Sequence, residues 1–352
     1  MTTLADGPDR VTVGVDTHAD TNVVAVLDAQ GRRLGIKSFA TTSEGHRRLE
    51  AWVLEFGPID AVGIEGTGAW GAGIFRHLAA QGHRVVEVDR PNRQTRHRHG
   101  KTDPIDAEAA ARAVLAGTAT GTPKARTGLV EAIRALRVAR RSAVKQRRQA
   151  IQQLRSLVST APDSLRERLR DLTAAQLVTT CAGFRPGDLT DVGEATKFSL
   201  RSIARRHHHL SAEIGELDAR LEPLVRAAAP PSLLARRGVG IDVAGQLLVT
   251  AGDNPERLHS AAAFAHLCGA APIPIASGRS STYRLNRGGD RQANSALYRI
   301  AICRLRWDPD TRAYLERRMK EGKTKKGALR CLKHYIAREI YNDLRQLTPR
   351  HP

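Results

Sequence analysis

Four carboxylates, Asp16, Glu65, Asp103 and Asp106, have the type and spacing to gather divalent cations. Asp16 closes the β-branched alternating run Val11-Thr12-Val13-Gly14-Val15, and Glu65 closes a second run, Ala61-Val62-Gly63-Ile64. Asp103 and Asp106 stand three apart where Pro104 opens a helix, so both can face one side. Four carboxylates at one point repel one another unless cations neutralise them. Two Mg²⁺ ions, held by oxygen ligands ~3.5–4 Å apart, would do so and could prepare a phosphodiester for in-line attack. Each acid also has a plainer reading. Asp103-Pro104-Ile105-Asp106 fits an N-cap, a proline at the first helical position and an acid at the third. Asp16 and Glu65 could simply end strands. Asp20, Asp28 and Asp89 compete for the role, but Asp28 falls in a turn and Asp89 at the end of a fifth strand, which suits the geometry less well.

The elements that must position these acids alternate between strand and helix. Strand signals fall at 11–15, 22–27 and 33–39, with a turn at 28–31. Ser43 can N-cap a helix to about Phe56, a fourth strand covers 61–64, and a helix spans 69–80. A fifth strand covers 84–88, and the helix opened by Pro104 runs to about Leu115. Three meandering strands followed by helix, strand, helix, strand and helix give the order of an α/β RNase H-like (RuvC-like) domain. In such a sheet the first and fourth strands are neighbours, so Asp16 and Glu65 converge. Residues 1–125 are therefore expected to form the catalytic domain, with a linker at 118–127.

Residues 126–229 read as a basic helical arm. The stretch 129–158 carries Arg134, Arg137, Arg140, Arg141, Lys145, Arg147 and Arg148. Farther on, Leu200, Ile203, His207, Leu210, Ile214, Leu217, Leu221 and Leu224 step by three and four, a heptad seam that predicts an antiparallel coiled coil or a dimer contact. Pro230-Pro231 ends the arm, and 230–352 reads as a mostly α domain of short helices and turns. His207-His208-His209 makes no metal site, because consecutive helical residues point in different directions.

The chain has 352 residues and a formal net charge of +20, which points to a polyanionic partner. No stretch of ~18 apolar residues is present and residues 1–10 are polar, so we expect a cytoplasmic, nucleoid-associated protein with no membrane partner. Cys181, Cys268, Cys303 and Cys331 lie too far apart for a zinc knuckle. Aromatic residues make up only 4%, so the charge is expected to track phosphates rather than support a surface built mainly on base stacking.

Several segments together carry a family resemblance. They are Val13-Gly14-Val15-Asp16 with Asp20-Thr21, Ile64-Glu65-Gly66-Thr67-Gly68, and Lys101-Thr102-Asp103-Pro104-Ile105-Asp106-Ala107. In the C-terminal part they are Arg237-Gly238-Val239-Gly240, Cys268-Gly269-Ala270-Ala271-Pro272 leading to Ser277-Gly278, and the run from Leu285 to Asn294. Gly322-Lys323-Thr324-Lys325-Lys326 and Arg330-Cys331-Leu332-Lys333 follow. The chain resembles the DEDD-type insertion-sequence transposases, with a RuvC-like N-terminal domain and a serine-bearing C-terminal domain, the bridge-RNA-guided recombinases. Ala19, Arg237 and Arg279 depart from that family's usual lysine, proline and lysine.

The resemblance implies that Asp16, Glu65, Asp103 and Asp106 bind metal and that Ser277 becomes covalently joined to DNA. It also implies a composite site in a homodimer or homotetramer, and a guide RNA that pairs with donor and target DNA. A serine needs activation before it attacks, and Arg279, Arg284 and Arg287 are close enough in sequence to bind flanking phosphates or developing charge. Arg291, Lys323, Lys325 and Lys326 add candidate phosphate contacts, and Gly238 and Gly240 could form a helix-hairpin-helix turn. Plainer readings exist for each: a flexible serine loop (Ser280 and Ser281 are adjacent), a solvated face and an ordinary turn. Three functions follow: a serine-using DNA recombinase, a RuvC-like nuclease in which water attacks, or a non-catalytic nucleic-acid-binding protein.

Overall fold

The β-branched runs of the N-terminal third pair into one sheet, as a computed structural model of the chain shows. The structure describes residues 10–88, 102–278 and 280–346, without the side chains of 280–282. Asp89, Lys101 and Arg279 therefore lie outside the described residues. Strands β1 (Val11–Thr17), β2 (Thr21–Leu27) and β3 (Arg33–Ala40) pair antiparallel, and β4 (Ile59–Glu65) and β5 (Val85–Val88) join in parallel. The strand order is β3-β2-β1-β4-β5, which puts β4 beside β1 as expected.

Alternation gives the sheet two working faces. Val11, Val13 and Val15 of β1 and Val24 and Val26 of β2 face helices α1 (Ser43–Leu54) and α2 (Ala72–Ala80), where Leu49, Ile74 and Leu78 complete a core. Thr42, not Ser43, caps α1, its hydroxyl accepting from the Gly45 N–H at 3.0 Å. The other face takes α3 (Asp103–Leu115), whose buried Ala107 meets Val23 and Ala25. Two glycines allow the close approach. A Cβ on Gly14 would lie 2.0 Å from the Ala107 carbonyl, and one on Gly63 would lie 2.8 Å from the Ala110 carbonyl.

Contacts divide the described chain into two units, 1–127 with 251–259, and 128–250 with 260–352. The stretch expected to be a linker is fastened within the first unit. Glu87 N–H donates to the Gly121 carbonyl at 2.7 Å, and Asn254 bonds both the Pro123 carbonyl and the Ala125 N–H at 2.9 Å.

In the second unit α4 (Leu129–Ser159) leads through α5 (Asp163–Leu169) and α6 (Ala174–Ala182) to α7 (Val192–Ala228). Leu154 and Val158 cluster with Leu200 and Ala204, whereas Ala143 clusters with Leu210 and Ile214, so α4 and α7 run antiparallel. Of the expected seam, Leu200, Leu210, Ile214 and Leu221 are buried, and Ala204 and Val225 join them; His207 is only half-buried. Short α8 (Pro231–Leu234), α9 (Ile241–Ala251) and α10 (Ala261–Leu267) follow. Then comes a β-hairpin, β6 (Pro272–Ser277) with β7 (Ser280–Leu285), where helices and turns were expected. Pro272 and Pro274 hid the strand, because proline lacks a ladder donor; a two-stranded sheet has only edge strands and tolerates it. Helices α11 (Arg291–Trp307), α12 (Pro309–Lys320) and α13 (Lys325–Leu344) complete the unit.

Candidate functional site: an acidic centre on the first unit

Because α3 rides close over β1, its first turn lies at the carboxyl end of that strand. Asp16 follows Gly14 and Val15 on the α3 side, where it is 8% exposed. Asp106, on the first turn of α3, is 9% exposed, and Asp103 is half-exposed. Thr102 stands at the N-cap position of α3 and Asp103 is already helical, so the reading of Asp103 as the cap is replaced. Acids in this turn also gain from the partial positive charge of the helix N-terminus. Glu65 ends β4 one residue past the Val15–Ile64 pair, on the same sheet face as Gly63, and Thr17 fixes its backbone by donating to the Glu65 carbonyl at 2.9 Å.

The residue that joins these acids is one that motif reasoning passed over. His18 Nε2 lies 3.1 Å from Asp16 Oδ2 and 3.3 Å from Asp103 Oδ1. Asp16, His18 and Asp103 each offer one ligand atom within 4.8 Å of the others, the one such group of three among the described residues. The signal was present in Asp16-Thr17-His18: His18 follows the last residue of β1, and an extended two-residue step from Asp16 returns it to the same side. Burial raises the Asp16 pKa above the ordinary 3.8; His18 opposes the shift, while the carboxylates of Asp106 and Asp103 add to it. A desolvated carboxylate among like charges is what a divalent cation would relieve, and the oxygen and imidazole donors fit one.

The competing acids have other work. Asp28 accepts from the Gln30 and Arg32 N–H groups at 3.0 and 2.8 Å and from Arg32 Nε at 2.6 Å, which fixes its turn. Asp20 is exposed.

The remaining candidates belong to the second unit. Ser277 is exposed at the tip of the β6–β7 hairpin, paired in register with Ser280 across Gly278, which takes φ +53°. Arg284, Arg287, Arg291, Lys323, Lys325 and Lys326 are exposed. Gly238 takes φ +87°, and a Cβ there would lie 3.2 Å from the Ile300 carbonyl and 3.3 Å from Cys303, whereas one on Gly240, before α9, would meet nothing within 4 Å. The basic helix α4 proves largely self-compensated at its start. Arg134 pairs with Glu131 at 2.7 Å, Arg137 with Asp242 at 2.8 Å, and Arg140 with Asp218 and Asp242. Arg299 also pairs with Asp242. Burial alone would raise Asp242, but the Arg299 hydrogen bond and the charges of Arg137, Arg299 and Arg140 hold its pKa below 3.8. No described helix is long and apolar enough to cross a membrane.

Comparison with known proteins finds relatives among insertion elements. The uncharacterized 42 kDa protein of insertion element IS900 from Mycobacterium paratuberculosis is 30% identical over 152 residues, covering 43% of this chain and 38% of that protein. The uncharacterized 43.6 kDa protein of insertion element IS110 from Streptomyces coelicolor is 34% identical over 144 residues, covering 41% of this chain and 34% of that protein. The aligned stretch thus spans less than two-fifths of either relative. A transposase family model for the DEDD proteins of IS110 elements matches residues 13–161, and the model described as the transposase IS116/IS110/IS902 family matches 232–316. With the first match containing all four acids and the second containing Ser277 and the hairpin, the chain belongs to the IS110-type DEDD transposase family.

Proposed function

We propose that this chain is a transposase that cleaves and rejoins DNA to move an insertion element. One observation carries the reading: Asp16 and Asp103, from a strand end and a helix start, meet on His18 beside Asp106. The first unit is read as an RNase H-like (RuvC-like) domain. Three antiparallel strands followed by two parallel ones, with β1 beside β4, support that reading. Asp16, Glu65, Asp103 and Asp106 would hold Mg²⁺, two ions per site, with His18 as an additional donor. A cation bound there supplies positive charge against the developing charge of a phosphodiester.

The chain's own residues then divide the work. With a cation bound, the acids would hold the scissile phosphate in place, and Ser277 Oγ gives up its proton as it forms the new bond to phosphorus, while the DNA oxygen on the far side leaves and takes up a proton. Reversal by another DNA end restores the serine, so phosphodiester bonds are exchanged without loss. Exposed Arg284 and Arg287 on and beside the hairpin, with Arg279, are placed in this account to hold flanking phosphates, with Arg291, Lys323, Lys325 and Lys326 farther out. Gly238 and Gly240 present a turn to the backbone. We take the three parts at 1–125, 126–229 and 230–352 as catalytic domain, arm and serine-bearing domain. The antiparallel α4–α7 pair is read as a coiled-coil arm for a homodimer or homotetramer whose acids and serine come from different protomers. Family resemblance supports a guide RNA and a cytoplasmic, nucleoid-associated protein.

Incubation with DNA bearing the element's ends and Mg²⁺ tests the proposal. A covalent protein–DNA adduct is expected with the native chain and none with Ser277→Ala. Cleavage to free ends, unchanged in Ser277→Ala, would replace the serine with water; an RNA population of random cellular sequences on the purified protein would remove the guide.

A further inference from the structure

Several arginines of the second unit are engaged by carboxylates, whereas a group of cations gathered around one cavity is not. A cavity of about 750 Å³ lies among the β6–β7 hairpin, the 286–290 turn, α11, α12 and α13. That volume falls in the ~300–1,000 Å³ range of pockets that accept a small ligand. Arg284, Arg287, Arg291, Lys323, Arg330 and Lys333 line it, and no aspartate or glutamate does. None of the six forms an ion pair among the described residues, whereas Arg137, Arg140, Arg236, Arg299 and Arg304 all do.

The cavity is also built rather than merely charged. Gly269 and Gly289 meet so closely that a Cβ on Gly289 would lie 2.3 Å from the Gly269 nitrogen. Asn294 Nδ2 donates to the Cys268 and Gly269 carbonyls at 3.0 and 2.9 Å, which fixes its own carbonyl oxygen. Lys333 Nζ donates to that oxygen at 2.7 Å, so a half-buried ammonium is held in place with two donors left over. His334 Nδ1, from the same lining, is buried with no hydrogen-bond partner among the described residues.

Two tyrosines in the same lining supply what phosphate alone would not need. Tyr283 is 71% exposed on the hairpin, and Tyr335 is 50% exposed with its ring held edge-on by Tyr314, at 5.7 Å between centroids. An unpaired base offers a flat face to such a ring, and a base inside a duplex does not. We propose that this cavity binds one unpaired nucleotide of a bound strand together with its adjoining phosphates. The inference deepens the nucleic-acid reading above and rests on it for the polymer alone.

The test compares two labelled duplexes by fluorescence anisotropy, without divalent cation so that no strand is cut. One is blunt; the other carries a four-nucleotide unpaired overhang, made in DNA and again in RNA. The native chain is expected to bind an overhang about tenfold tighter than the blunt duplex, the scale of one base–aromatic stack. Tyr335→Ala and Arg330→Gln, both exposed side chains, are each expected to remove most of that preference, and Arg226→Gln on α7 to leave it intact. Adenosine monophosphate should also compete better than inorganic phosphate. Equal affinity for the blunt and overhang probes, a preference that survives both variants, or competition as strong from inorganic phosphate as from the nucleotide would each overturn the proposal. Because no cleavage is involved, loss of this preference leaves the transposase reading standing, and failure of DNA cleavage leaves this inference standing.

Discussion

The acidic centre of the first unit and the basic helices of the second treat like charges in opposite ways. On β1 and α3, Asp16, Asp103 and Asp106 crowd together, and among the described residues only His18 offers them a basic side chain by ion pair. On α4, α9 and α11, by contrast, Arg137, Arg140 and Arg299 converge on the carboxylate of Asp242, which pairs with all three. The difference separates function from architecture. The Asp242 network is neutralised within the second unit; the proposals above give the crowded acids and the cations around the cavity to a bound metal and a bound nucleotide.

The largest expected effect strikes the crowded acids. Asp16→Asn or Asp103→Asn should lower metal-dependent DNA cleavage by about a thousandfold or more, the scale seen when electrostatic support of a phosphoryl or acyl centre is removed. Retained cleavage in both would show that the crowding has no catalytic meaning. Next, Gly14→Ala should cost about 3 kcal/mol in urea unfolding and reduce cleavage with it, because the added methyl strikes the Ala107 carbonyl and pushes α3 off β1. A neutral result would mean that the helix–strand approach does not set the site.

Much of this contrast was legible in the residues. β-branched alternation gave the five strands, and Asp16 and Glu65 could be put on neighbouring strands because each ended a run. His18 escaped notice because it stands one residue beyond β1 and is not a carboxylate, although a two-residue step from Asp16 brings it to the same side. The hairpin at 272–285 was obscured by its prolines. Nor could spacing along the chain reveal which arginines were engaged. Arg137 and Asp242 are 105 residues apart, and only folding makes that cation unavailable to a phosphate.

The two sets of arginines, cavity-lining and ion-paired, predict smaller effects. Arg287→Gln with Arg291→Gln should weaken DNA binding and reduce the slope of log affinity against log salt by about 1–2, near 0.7–0.9 for each phosphate that is no longer neutralised. Arg137→Gln should leave that slope unchanged but destabilise the second unit by about 3 kcal/mol, because it leaves Asp242 short of a partner. A changed slope for Arg137→Gln would break the division between structural and binding cations. The Asp242 network also predicts a pH dependence. Its folded pKa is depressed, so its stabilisation is full above the unfolded value near 3.8 and is lost as pH falls through the lower folded value. Acid unfolding below that pH should be shallower in Asp242→Asn than in the native chain.

Asp16, His18 and Asp103 are proposed to form a divalent-cation site. Titration of Mn²⁺ into the metal-free protein by isothermal calorimetry tests it most directly. Saturable binding is expected in the native chain, lost in Asp16→Asn and weakened at least about tenfold in His18→Ala, as removal of a metal-site donor or orienting group does. Equal Mn²⁺ binding by the native chain and Asp16→Asn would contradict the claim.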